Sequence, residues 1–105
     1  MEFIETSVFT KIITEALTDD EFRSLQSTLS LNPASGSIIR GSGGIRKVRW
    51  SRGKRGKSGG LRIIYYWITN DDQILLLLAY SKSEKDDLTI SQIEQLRKLV
   101  KTELE

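Results

Sequence analysis

The stretch "LRIIYYWITNDDQILLLLAY", Leu61 to Tyr80, decides the fold. Two apolar runs flank "NDD" at Asn70 to Asp72, a turn signal, so the segment reads as two paired strands, Leu61 to Thr69 and Gln73 to Tyr80. Alternation in the first puts Arg62, Ile64, Tyr66 and Ile68 on one face and Leu61, Ile63, Tyr65 and Trp67 on the other. Arg62 thus opens a strand that otherwise looks built for packing. The second run, "ILLLLA" from Ile74 to Ala79, does not alternate and is far too short to cross a bilayer.

Working outward, "IRKVRW" at Ile45 to Trp50 is a further strand, with Ile45, Lys47 and Arg49 on one face and Arg46, Val48 and Trp50 on the other. "EFIET" at Glu2 to Thr6 is a short strand near the start of the chain. After it, Val8, Phe9, Ile12, Ile13, Ala16 and Leu17 fall on one helical face, with Ser7 as the expected cap. Thr18 precedes Glu21 by three residues, a capping-box pattern, and Phe22, Leu25 and Leu29 continue a second helix to Asn32 and Pro33. The last helix starts at Thr89, with Gln92 three residues on, and carries Ile90, Ile93, Leu96, Val100 and Leu104 on one face. The order is β-α-α-β-β-β-α, and 105 residues suit one domain with a modest core.

Charge is segregated along this framework. Formal net charge is only +2, yet Arg23 to Asn70 holds ten Lys or Arg residues and no Asp or Glu. All fourteen acids lie outside that stretch, so a basic surface is expected on a nearly neutral molecule, and such a surface suits a polyanion. All eight glycines lie between Gly36 and Gly60, where backbone can approach a ligand closely. A single exposed cation on a half-buried sheet needs no explanation. Nine between Arg40 and Arg62 repel one another unless an anionic partner offsets them.

The chain has neither Cys nor His, which excludes disulfides, Cys/His zinc sites, thiol nucleophiles and Ser-His-Asp catalysis. Glu84, Asp86 and Asp87 in "SEKDDL" are assigned to the start of the last helix, whose dipole favours acids, rather than to a metal; Glu84 is also a candidate ion-pair partner for Lys82. The N-terminus "MEFIETSVF" shows no basic leader or long apolar segment, so a soluble, cytoplasmic protein without membrane partners is expected. Of the aromatics, Trp67 is assigned to packing, while Tyr66 and Tyr80 could pack or stack on bases.

Three signatures in order, "GGIRKVRW", "GGLRIIYYW" and "LLLLAYSKSEKDDL", followed by an amphipathic helix, resemble the RelE/ParE superfamily of toxins from toxin–antitoxin modules, most closely its HigB-type branch. The resemblance spans nearly the whole chain. It implies a RelE-like α+β fold, a small antiparallel sheet of about four strands flanked by helices. It implies a ribosome-dependent messenger RNA endonuclease that cuts in the A site, needs no metal or other cofactor, and lets the ribose 2′-hydroxyl attack the adjacent phosphate. Carried over residue by residue, it assigns Lys47, Arg49 and Arg62 to phosphate stabilisation and Lys82 to charge stabilisation or proton donation. Tyr80, two residues before Lys82, is assigned to stacking or proton transfer. Arg46, Arg52, Lys54, Arg55 and Lys57 are assigned to RNA backbone, ribosomal RNA included. The family's arginine after the exit lysine and its tyrosine at the next helix start are here Ser83 and Thr89. The implied partners are the ribosome, messenger RNA and a cognate antitoxin, whose acidic or hydrophobic groups are expected near Arg40 to Arg62. Two alternatives stay open: a ParE-like gyrase poison, and a non-catalytic RNA- or antitoxin-binding relative.

Overall fold

The computed structural model describes residues 1–51, 60–82 and 87–104. In chain order they form β1 (Glu2–Glu5), α1 (Ser7–Ala16), α2 (Asp19–Leu31), β2 (Ser37–Ile38), β3 (Arg46–Trp50), β4 (Leu61–Ile68), β5 (Gln73–Ser81) and α3 (Ile90–Leu104). One five-stranded sheet runs β1-β5-β4-β3-β2. The α+β class and the helix order are as expected, but the sheet differs from a four-stranded antiparallel one in two ways. β1 pairs with β5 in parallel, Glu2 opposite Gln73 through Glu5 opposite Leu76. The added strand, β2, pairs antiparallel with β3. A two-residue strand is too short to show alternation, and β1 reaches its neighbour through no tight turn that would fix its direction.

The sheet separates two cores. On one side, Phe9, Ile13 and Leu17 of the first helix and Leu25 and Leu29 of the second pack on Leu61, Ile63, Tyr65, Ile74, Leu76 and Ala79. On the other, Ile64, Leu75, Leu77 and Tyr80 pack with Ile45, Leu88 and Val100, and Ile93, Leu96 and Leu99 of α3 close over them. β5 therefore has a covered surface on both sides, which explains why "ILLLLA" shows no alternation.

Helix starts follow local chemistry. Thr18 and Glu21 form the expected capping box on α2, and Thr89 and Gln92 exchange the same pair of bonds at α3, at 2.9 and 3.1 Å. At α1 the cap is Thr6 rather than Ser7: its hydroxyl accepts the Phe9 amide at 3.0 Å. The same hydroxyl donates to the Leu77 carbonyl at 2.8 Å, a long-range partner that no local pattern reveals.

That bond marks an irregularity. β4 and β5 pair Ile64 with Leu78 but Tyr65 with Leu76, so Leu77 is the extra residue of a β-bulge. Leu77 and Leu78 both join the α3-side core. Beyond them the alternation of β5 is inverted, which turns Ala79 toward α1 and α2 and Tyr80 toward α3. Elsewhere, Gly36 sits where an added Cβ would lie 2.9 Å from both the Lys47 carbonyl and the Tyr65 hydroxyl. Only glycine lets the chain lie this close to β3.

Candidate functional site

The bulge assembles a row of polar side chains across three strands. Arg49 of β3 stands opposite Arg62 of β4, and Arg62 stands opposite Tyr80 of β5. Cross-strand partners share a face and have Cβ atoms roughly 5 Å apart. If β5 instead alternated without interruption through Leu77 and Leu78, Tyr80 would point into the opposite core. Lys47 lies two residues before Arg49 on the same face, opposite Ile64. The backbone register thus puts Lys47, Arg49 and Arg62, three of the four expected cations, on one face with Tyr80.

Arg62 is the unusual member. Its side chain is buried, at 7% exposure, and among the described residues no carboxylate lies within ion-pair distance of Arg62 or Arg49. Two guanidinium groups facing one another on a ladder repel, and a buried cation without a counter-charge is costly. A bound anion would relieve both penalties.

Tyr80 is nearly as buried, at 5% exposure. Burial raises its phenol pKa above the ordinary 10.0, Asp87 raises it further, and Arg62 lowers it. The phenol stays protonated through neutral pH and can donate a hydrogen bond. Lys47 reaches Asp87, Nζ to Oδ1 at 3.4 Å, and the same oxygen accepts the Leu88 amide at 3.0 Å. Beside this pair lies a cavity of about 270 Å³ whose lining includes Ser37, Ile38, Arg40, Lys47 and Asp87.

The other expected residues fall in different places. Lys82 follows the last residue of β5 and is exposed. Arg46 is on the opposite face from the row, opposite Tyr65, and its guanidinium donates to the Gly36 carbonyl at 2.7 Å and the Ala34 carbonyl at 3.4 Å. It braces the turn before β2. Arg52, Lys54, Arg55, Lys57, Ser83 and Glu84 lie outside the described residues. Asp87 was assigned by sequence to the helix start, but Thr89 provides that cap and Asp87 pairs with Lys47 instead. A carboxylate one residue before a buried Leu and two before a capping Thr was the available signal. Among the described residues, no group of three or more acids is placed to hold a metal ion, and no helix is long and apolar enough to cross a membrane.

Residues 4–105 match the family model described as the RelE toxin of the RelE/RelB toxin–antitoxin system. The chain belongs to the RelE toxin family. The fold agrees with that of E. coli toxin RelE, solved in its free state with two arginines replaced by alanine. The TM-score is 0.56 at 13% sequence identity, over 81% of this chain and 86% of that one. RelE membership, inferred from the three signatures, is therefore borne out, and so is the RelE-like architecture that positions the row. This RelE-family chain is a toxin of a toxin–antitoxin pair.

Proposed function

We propose that this toxin, placed by its three signatures in the HigB-type branch, inhibits translation in the cytoplasm by cutting messenger RNA in the ribosomal A site. The observation that carries the reading is the row itself: a buried Arg62, which no described carboxylate neutralises, between Arg49 and the protonated Tyr80. In the reaction the ribose 2′-oxygen forms a bond to the adjacent phosphorus and the bond from phosphorus to the 5′-oxygen breaks. The products are a cyclic phosphate and a free 5′-hydroxyl. Arg62 and Arg49 hold the non-bridging oxygens, on which charge builds in the transition state, and guanidinium forks match that geometry. Lys47 adds a compact positive charge on the same side. Lys82 and Tyr80 are the donors available to the leaving oxygen.

Arg52, Lys54, Arg55 and Lys57 serve as ribosomal RNA contacts, which bind backbone without reading sequence. Arg46 drops out of that set, since its guanidinium already holds backbone carbonyls. A cognate antitoxin keeps the toxin silent by covering the cationic surface between Arg40 and Arg62.

The test is induced expression of the wild type and of the double variant Arg62→Ala with Lys82→Ala, following growth and mapping messenger RNA 5′ ends. Growth arrest with cuts inside translated codons, both lost in the double variant, is the expected result. Arrest without such cuts points to a gyrase poison. No arrest at all points to a purely binding relative.

A further inference from the structure

Asp87 has no part in the scheme above, yet it stands at the site. Its Oδ1 is 3.4 Å from Lys47 Nζ and accepts the Leu88 amide at 3.0 Å. Leu88 is 8% exposed and belongs to the same core cluster as Ile64 and Tyr80. Immediately after it, the reciprocal Thr89–Gln92 bonds fix the start of α3. The carboxylate is thus anchored from the backbone side, while the side chain as a whole is 71% exposed toward the cavity it shares with Lys47. An ion pair this long and this exposed contributes little to folding. Its effect is on where the ammonium sits.

Resting on the RNA-cleavage reading, we propose that Asp87 is a positioning residue of the site, holding the Lys47 ammonium beside the Arg49–Arg62–Tyr80 row, where it meets the phosphate that Arg62 grips. An unrestrained lysine samples many rotamers, and a tethered one meets the phosphate already placed. The charge of Asp87 also reaches Tyr80, where it adds to burial in favouring the neutral phenol and opposes Arg62. Among the described residues, the other charged groups near the site are Arg40, which lines the same cavity as Asp87, Arg49 beyond Arg62, and Lys82 two residues after Tyr80. α3 closes over the face with Ile93, Leu96, Leu99 and Val100, none of which titrates.

Asp87→Asn keeps an oxygen for the Leu88 amide and removes the charge. In cleavage by ribosomes programmed with a defined message, it should lower the rate at saturating ribosomes by roughly ten- to a hundredfold, with little change in the half-saturating concentration. Lys47→Met should fall as far, the two changes together should be no slower than the slower single one, and Asp87→Glu should recover part of the rate. In the free protein, a carbon-13 tyrosine NMR titration, with Tyr80 assigned through Tyr80→Phe, should show a lower midpoint for Asp87→Asn than for the wild type. Full cleavage by Asp87→Asn, multiplicative losses in the double variant, or an unmoved Tyr80 midpoint would each overturn the inference. A wild-type chain that cuts no message would instead overturn the RNA-cleavage reading and the catalytic half of this inference. In that case the titration alone decides whether Asp87 governs the charge of the site.

Discussion

Leu61 and Arg62 are adjacent, both buried, and face opposite sides of one sheet. On the Leu61 side, packing accounts for what is buried: aliphatic and aromatic groups fill the space beneath α1 and α2. That side's buried hydroxyls include Ser81, opposite Leu61, and Tyr65, which donates to the Pro33 carbonyl at 2.7 Å and accepts the Gly36 amide at 2.9 Å. On the Arg62 side the same strand begins with a cation that no described carboxylate neutralises, facing a second cation across the ladder. Further along, that side becomes apolar again, with Ile64, Leu75 and Leu77 packed with Val100 of α3. The contrast teaches that the two faces of one strand bury different things: chiefly packing groups on the first, and on the second a cation whose charge no described carboxylate offsets.

Adjacent substitutions sharpen this division most. Ile63→Ala should cost about 2–5 kcal/mol of stability in urea unfolding, while Arg62→Gln, which removes the buried charge, should hold or raise the unfolding midpoint and reduce cleavage by roughly a hundred- to a thousandfold. If both variants lost stability and activity together, the two faces would not be separable. Thr6→Val should have an intermediate effect. It removes the donor to the Leu77 carbonyl and the cap on α1, costing about 1–3 kcal/mol by thermal or urea unfolding. It should also slow cleavage, because the bulge aims Tyr80. The smallest effect is on the alkaline side. Since the folded protein holds the Tyr80 proton more tightly than the unfolded chain, this contribution is complete below the ordinary phenol pKa of 10.0 and is lost as pH rises through and beyond it. Urea unfolding between about pH 9 and 11 should show this loss in the wild type and not in Tyr80→Phe.

Much of this was legible beforehand because it rests on local rules. Alternation put Arg62 with Ile64 and Tyr66, and Lys47 with Arg49, and residue spacing located both capping boxes. What sequence could not show depends on contacts distant in the chain. The parallel pairing of β1 with β5, the Thr6 bond to Leu77 and the Lys47 pair with Asp87 join residues 71, 71 and 40 positions apart in the two bonded cases and the first ladder pair. Asp87 was read as a helix acid because it lies three residues before α3, whereas in space its ion-pair partner is Lys47 on β3. Arg46 was grouped with the RNA ligands by composition, and only the position of β2 reveals that it serves the backbone.

The extra residue at Leu77 makes the face of Tyr80 a question of counting. Loss of Leu77 itself would leave Leu76 and Leu78 alternating normally and Tyr80 still opposite Arg62, whereas loss of Ala79, just beyond the bulge, would move Tyr80 into its place opposite Ile63, on the side occupied by α1 and α2. Arg62 would keep its place on β4 and lose its aromatic neighbour. A lineage carrying such a module is therefore a single in-frame triplet away from a chain with nearly the toxin's composition and most of its sheet, but with the Arg49–Arg62–Tyr80 row taken apart.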